Sequence, residues 1–208
     1  MRLVFPPKFD GSNLAINDNS RQLIIIGANG AGKSRFTEHL INSLQGKAFR
    51  LSALHALYDS RNPNTLPGSI DSIYLDTVKN SPFMRDDIES EFERCIAMLV
   101  NDEMATHIAR KFANDNTGPA QPSKMDIAIR QWQEIFPENT ILMENNELTF
   151  SRFIDSEKYQ SMKLSDGEKA VLYYIVSILF AMENAIVFIE DPDIFLHPSI
   201  VGAVWNAI

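Results

Sequence analysis

The sequence predicts an α/β fold, and three stretches carry that expectation. An apolar segment, Ile24-Ile25-Ile26, runs into a glycine-rich turn and then an amphipathic helix. A strongly apolar helix, Ala170 to Met182, is followed by the run Ile186-Val187-Phe188-Ile189, which ends in two acids. Between them, apolar residues recur at helical spacing from Pro82 to Phe112. Helices interleaved with short buried strands are the pattern of layered α/β domains. A chain of 208 residues fits one domain with room for an inserted lobe.

Taken in order, residues 1 to 27 read as short strands, Leu3–Phe5 and Leu14–Ile16, with turns at Asp10-Gly11-Ser12-Asn13 and Asn17-Asp18-Asn19-Ser20. The strand Gln22–Gly27 enters the glycine-rich turn. A helix with Phe36, Leu40, Ile41 and Leu44 on one face then runs to about Gln45, and Ala48–Ala53 reads as another strand. Residues 59 to 68, with Asn62-Pro63-Asn64 and Pro67-Gly68, read as loop. In the helix from Pro82 to Phe112 the apolar stripe is Ile88, Phe92, Cys95, Ile96, Leu99, Val100, Met104 and Ile108. Asp86, Asp87, Glu89, Glu91 and Glu93 fill its other face near the N-terminus, where the helix dipole favours acids. A solvated face is the plain reading of these acids, and a metal site the alternative. Asn114 to Ser123 is a connector, and a further helix ends at about Phe136 before Pro137. Ile141–Met143 and Glu147–Phe153 form a hairpin around Asn145-Asn146.

Composition narrows the class. Hydrophobic residues at 45% and charged residues at 22% are ordinary for a globular domain. The longest apolar stretch, Ala170 to Met182, is too short to span a bilayer, and Met1 to Pro7 lacks the apolar centre of a signal peptide. A single cysteine, Cys95, excludes an internal disulfide, so a cytoplasmic location away from any membrane is expected. The net charge of −8 argues against a dominant basic face for nucleic acid, although DNA as a remote effector stays open.

Three motifs carry chemistry. Gly27-Ala28-Asn29-Gly30-Ala31-Gly32-Lys33-Ser34, followed by Arg35, has the Gly-x-x-x-x-Gly-Lys-Ser spacing of a phosphate-binding loop. Gly27 and Gly32 free the backbone for turns that a Cβ would hinder, so successive N–H groups can face one anion. Lys33 brings positive charge to β- and γ-phosphates, the Ser34 hydroxyl can ligate Mg²⁺, and the helix opening at Gly32 aims its dipole at the same anion.

The second motif is Leu164-Ser165-Asp166-Gly167-Glu168-Lys169. Ser165 and Glu168 have the spacing of a helix capping box. Leu164-Ser165-Asp166-Gly167-Glu168 also resembles the ABC-type signature Leu-Ser-x-Gly-Glu, which implies that the serine hydroxyl and helix-end N–H groups bind the γ-phosphate of a nucleotide held by another subunit. The two readings use the same helix-end N–H groups and are compatible. The third motif is Ile189-Glu190-Asp191-Pro192-Asp193, two acids leaving the C-terminal end of a strand expected to be parallel and buried, which is where open α/β sheets bind ligands. One acid can hold Mg²⁺ through water, and the next can orient the attacking water.

The order of these motifs, with Leu196-His197-Pro198 after them, resembles ABC-type ATPase heads of the non-transporter branch, which includes SMC and RecF-type proteins. Within that branch it is most similar to the AAA-labelled ATPases related to the OLD family. The resemblance implies a P-loop NTPase with an ABC-like mixed sheet, an N-terminal antiparallel β layer and a helical lobe inserted at residues 82–136. It implies ATP and Mg²⁺ as ligands, with Gly27 to Arg35 around the phosphates, Ser34 and Glu190 at the metal, and Lys33 and Asp191 in catalysis. Ser165 and Gly167 would act across a nucleotide-dependent homodimer. His197 would face the partner and the nucleotide, although a His before Pro is often only a helix-start residue.

Two departures from the pattern bear on activity. ABC heads carry Asp then Glu where this chain has Glu190 then Asp191, and the shorter Asp191 stands further from an attacking water. Slow turnover, or ATP used as a dimerisation switch, is the expectation. The chain also ends inside the apolar stretch Ile200 to Ile208, so it is expected to be the N-terminal piece of a longer protein whose remainder includes an effector domain, or which works with a nuclease partner. No glutamine is assigned as a γ-phosphate sensor.

Overall fold

The computed structural model describes residues 2–7, 10–12, 15–17, 23–44, 47–58, 73–74, 88, 90–112, 121–153 and 157–208. The expected loop at 59–68, the turn residues Asn13 and Asp18 to Ser20, the helix start at 82–87 and most of the connector after Asn114 lie outside them. The strands are β1 (Arg2–Val4), β2 (Ala15–Asn17), β3 (Ala48–Leu51), β4 (Thr140–Glu144), β5 (Glu147–Ser151), β6 (Tyr159–Gln160) and β7 (Ile186–Ile189). The helices are α1 (Lys33–Ser43), α2 (Ala53–Tyr58), α3 (Glu91–Phe112), α4 (Lys124–Ile135), α5 (Asp166–Phe180) and α6 (Pro198–Ala207).

Helix α5 organises the core. Every side chain from Ala170 to Ser177 is buried, so the helix is covered on all sides. It is apolar all round, as a helix must be when α2, α3 and α4 each pack on it. Tyr173 and Ser177 on this helix find partners inside the core. The Tyr173 hydroxyl donates to Glu91 at 2.9 Å, and burial followed by the Glu91 charge pushes its pKa well above the usual value. The Ser177 hydroxyl and the Cys95 thiol lie 3.6 Å apart. The acids of α3 are thus not simply a solvated face. Glu91 serves Tyr173, and Glu93 closes a reciprocal pair with Ser90 at the helix start. Among the described residues no three His, Cys, Asp or Glu side chains gather as a metal cluster.

The hairpin forms as its turn residues require. Asn145 and Asn146 both adopt positive φ (52° and 65°), the conformation of a two-residue turn that asparagine tolerates. The antiparallel register pairs Glu144 with Glu147 and Thr140 with Ser151, and β6 adds to the β5 edge. Phe150, wholly buried, packs its ring 5.8 Å from Trp132 of α4, fixing the hairpin sheet to the helical layer. Helix α4 starts with a capping box in which Ser123 and Asp126 exchange bonds of 2.8 and 3.1 Å.

Among the described residues the strands pair in three groups: β1 and β2 form an antiparallel pair, β3 and β7 a parallel pair, and β4–β6 an antiparallel sheet. Three sequence expectations need correction. Residues 23–28, expected as the strand entering the phosphate loop, carry no ladder pairing, and Ile24 and Ile26 are 81% and 91% exposed. An apolar run states a demand for burial, but a strand exists only beside a partner, and β3 pairs with β7 instead. β7 itself is half-buried, because β3 is its only strand neighbour among the described residues. Finally, Ala53 opens helix α2 and does not end the preceding strand, the Ala56 N–H donating to the Ser52 carbonyl at 2.9 Å.

Two outcomes follow for stability. Phe150→Ala should cost about 3–5 kcal/mol in urea unfolding, since the cavity opens between rigid rings. The Ser123 N–H holds the Asp126 carboxyl below its usual 3.8, so its stabilising contribution is complete above that pH and is lost as pH falls through the lower folded-state value. Urea midpoints of wild type and Asp126→Asn measured against pH should therefore converge on the acid side.

Candidate functional site

The glycine-rich loop is exposed from Gly27 to Gly32 and delivers its chain directly into α1. Gly30 (φ 81°) and Gly32 (φ 90°) hold left-handed backbone that a Cβ-bearing residue rarely adopts. Gly27 is different. Its φ is ordinary and a Cβ there would make only van der Waals contacts, with Ala31 at 3.4 Å and the Lys33 side chain at 3.7 Å, so the strictly required glycines are Gly30 and Gly32. A turn closes between Ala31 N–H and the Ala28 carbonyl at 3.1 Å, with Asn29 and Gly30 at its tip. The Lys33 ammonium curls back over the loop and donates to the carbonyls of Gly27 (2.8 Å) and Ala28 (3.2 Å). Ser34 and Arg35 are exposed on the first turn of α1.

The start of α1 has a property that the other long, capped helices lack. Gly32 occupies the N-cap and no side chain bonds the first N–H groups. In α4, α5 and α6 the cap is a Ser123, Ser165 or His197 side chain. Four N–H groups at a helix start have no intrahelical partner, so an end without a capping side chain presents donors and a positive dipole to any anion.

At the other motif, the Ser165 hydroxyl caps α5. It donates to Glu168 Oε2 at 2.7 Å, accepts from the Glu168 N–H at 3.3 Å, and the Ser165 N–H donates to the same carboxylate at 2.9 Å. Asn139 holds the other Glu168 oxygen at 3.0 Å. The capping-box geometry is thus fully made within the chain. An open cleft of about 380 Å³ lies beside Ser165, lined by Arg152, Glu157, Tyr159, Lys163 and Glu168. Gly167 is required by contact: an added Cβ would lie 2.8 Å from the Phe195 carbonyl oxygen. The start of α5 and the loop after β7 are therefore pressed together. Tyr58 reinforces the junction, donating to Asp166 at 2.6 Å and packing its ring 5.8 Å from Phe195. The bond to Asp166 pushes the Tyr58 phenol above its ordinary value.

The acids leave the ends of the parallel pair. Backbone bonds Ile186 N–H to Lys47 O (2.8 Å) and Glu190 N–H to Leu51 O (2.9 Å) keep β3 and β7 in register to their C-terminal ends. Glu190 there accepts from Arg50 at 2.6 Å through Oε2, while its Oε1 is buried without a hydrogen-bond partner. Such an orphaned carboxylate oxygen is a hard donor suited to Mg²⁺, which usually takes only one or two protein carboxylates. Asp191 is exposed and left-handed (φ 44°), and the half-buried Phe195 is also left-handed (φ 67°), so the loop from 190 to 197 carries two strained residues. His197 is exposed and caps α6, its Nδ1 accepting from the Ser199 N–H at 3.3 Å.

The structure thus gathers Gly27, Ala28 and Lys33 in one loop, Gly167 with Phe195, and Glu190 with Arg50. Among the described residues no hydrogen bond or ion pair joins the phosphate loop to Glu190, Asp191 or Ser165. Sequence reasoning missed Arg50, Tyr58 and Phe195. Arg50 had a signal, a lone charge within Ala48-Phe49-Arg50-Leu51, whereas Tyr58 and Phe195 matter through contacts that no spacing encodes.

Against known families, residues 40–204 match the family described as AAA domain, putative AbiEii toxin, Type IV TA system. The chain belongs to that AAA-domain family. It is therefore a nucleotide-binding P-loop ATPase domain of the AAA/ABC type, and its parallel and antiparallel sheets fit such a fold. The matched region starts within α1 and spans both later motifs of the AAA domain. No curated protein and no solved structure gave a match. No described helix is long and apolar enough to cross a membrane.

The contact at Gly167 yields a paired prediction. Gly167→Ala must displace the Phe195 backbone and should cost roughly 1–3 kcal/mol. Gly202→Ala at an exposed position of α6, where a Cβ meets nothing within 4 Å, should instead stabilise by about 0.5–1 kcal/mol. Chemical denaturation of both variants checks the difference in sign.

Proposed function

We propose that this AAA domain binds Mg-ATP at the loop Gly27–Ser34, dimerises around it, and hydrolyses it slowly to gate an attached or recruited effector. The observation that carries the reading is the start of α1, where left-handed Gly30 and Gly32, N–H groups that no side chain caps and the Lys33 ammonium face the same loop. Phosphate oxygens would replace the carbonyls of Gly27 and Ala28 as acceptors for Lys33, and the backbone from Ala28 to Gly32, with Arg35 beside it, would surround the anion. Ser34 and Glu190 would hold Mg²⁺, which when bound neutralises charge on the β- and γ-phosphate oxygens.

Asp191 would orient the attacking water, with transfer direct to water and no covalent intermediate. Ser165 and Gly167 would meet the nucleotide of a second copy, Ser165 being an exposed residue at the start of α5. That role needs the Ser165 hydroxyl to leave Glu168, which the second capping bonds of Glu168 permit. His197 would lie at the same interface as an accessory to catalysis. The lobe at 82–136 is assigned to the same domain.

A second reading is favoured by one observation, the short Asp191 in a strained turn. There the domain closes on ATP as a sensor or scaffold with little turnover. A nuclease-partnered ATPase of DNA repair or phage defence is a further form of the effector reading, and the toxin–antitoxin wording of the family description suits a gated effector.

Phosphate release and nucleotide binding separate these readings. Lys33→Ala should weaken ATP binding at least about tenfold, a loss near 1.4 kcal/mol or more, by removing a charge-assisted contact. Asp191→Asn should retain binding while phosphate release falls about 10²-fold or more. ATP-dependent dimerisation with no wild-type turnover would select the sensor. Absence of any ATP binding by wild type would refute both.

A further inference from the structure

We infer that Arg50 is a positioning residue for Glu190, holding one carboxylate oxygen so that the other stays available to a divalent cation. The inference rests on the reading of Glu190 as the metal-facing acid and adds a residue that no motif contains. The parallel register sets the arrangement. Arg50 lies one residue before the end of β3 and Glu190 one residue past the end of β7, and the Glu190 N–H is tied to the Leu51 carbonyl. Guanidinium and carboxylate therefore arrive at the same edge of the sheet from adjacent strands.

The geometry argues against a purely structural ion pair. Both side chains are largely covered, at 18% and 15% exposure, so each loses most of its hydration. A covered pair offsets that loss only when the remaining lone pairs also find partners. Arginine's planar fork commonly grips both oxygens of a carboxylate. Here it grips Oε2 alone at 2.6 Å, and Oε1 is left buried with no hydrogen bond. A cation bound at Oε1 would supply the missing partner, and the Arg50 bond to Oε2 holds the carboxylate with that oxygen left to face it. Lysine, a point charge on a flexible stem, would neutralise Glu190 without fixing its orientation.

The test uses the full chain and Mn²⁺ as the probe, titrated by electron paramagnetic resonance in the presence of ADP. Arg50→Met should weaken Mn²⁺ binding by about tenfold or more, the usual loss when the residue that orients a metal ligand is removed. Arg50→Lys should recover only part of it. ADP affinity measured with the divalent cations chelated should be unchanged, and circular dichroism should report a folded chain. If Arg50→Met fails to fold, Arg50→Lys alone decides: weaker Mn²⁺ binding with unchanged ADP affinity supports the inference, and wild-type Mn²⁺ binding overturns it. A lower melting temperature with unchanged Mn²⁺ affinity would mark the pair as structural and overturn the inference. Tighter Mn²⁺ binding in Arg50→Met would make Arg50 a competitor for Glu190, which also overturns it. In both cases wild type still binds Mn²⁺ and ADP, so the nucleotide reading survives. If wild type binds neither, the failure lies in that reading.

Discussion

The need to bury one helix on every side constrains the rest of this molecule. From Ala170 to Ser177 the helix Asp166–Phe180 has no side chain that water reaches, so its neighbours must enclose it completely. That demand recruits α2, α3 and α4, and through the Trp132–Phe150 contact it recruits the hairpin sheet as well. Inside that enclosure Tyr173 pairs internally with Glu91. Because the helix is fixed so firmly, both of its ends are fixed too. Its start presents Ser165 and Gly167, and its end feeds β7 and the acids beyond it.

The two parts of the site are built on different physical terms. The phosphate loop depends on backbone freedom and on a helix start that no side chain caps, and it stands clear of the core. The acid end depends on a sheet register and a charged pair that are largely covered. A loop of the first kind is cheap to rearrange, whereas a carboxylate of the second kind is held in place. That division suits a domain in which one part adapts to an anion and the other receives a cation in a set geometry.

Much of this was legible in the residues. The hairpin followed from Asn145-Asn146, the cap of α5 from Ser165 and Glu168, the parallel strand from Ile186–Ile189, and the glycine turn entering α1 from its spacing. These are local rules, in which neighbouring residues decide the backbone. What escaped depends on partners distant in the chain. Leu23 to Ile26 has the composition of a strand, yet strand formation needs a neighbour that composition cannot supply. The pairing of the described strands in three groups has the same origin. Arg50 and Glu190 are 140 residues apart, and only the β3–β7 register makes them a pair. Even Gly167, visible as part of a motif, owes its requirement to the carbonyl of Phe195.

That glycine contact has a mechanical consequence. With the Phe195 carbonyl seated against the Gly167 backbone and Tyr58 bridging both sides, the loop after β7 and the start of α5 lack independent degrees of freedom. Displacement of one drags the other, so the pair behaves as a single joint. In the proposed dimer the loop, through Asp191, would serve this chain's own nucleotide, while Ser165 would serve the partner's. In that dimer a joint between them would tie the timing of the two chemical events together, and a pair of such domains would then turn over as one machine with two interdependent strokes.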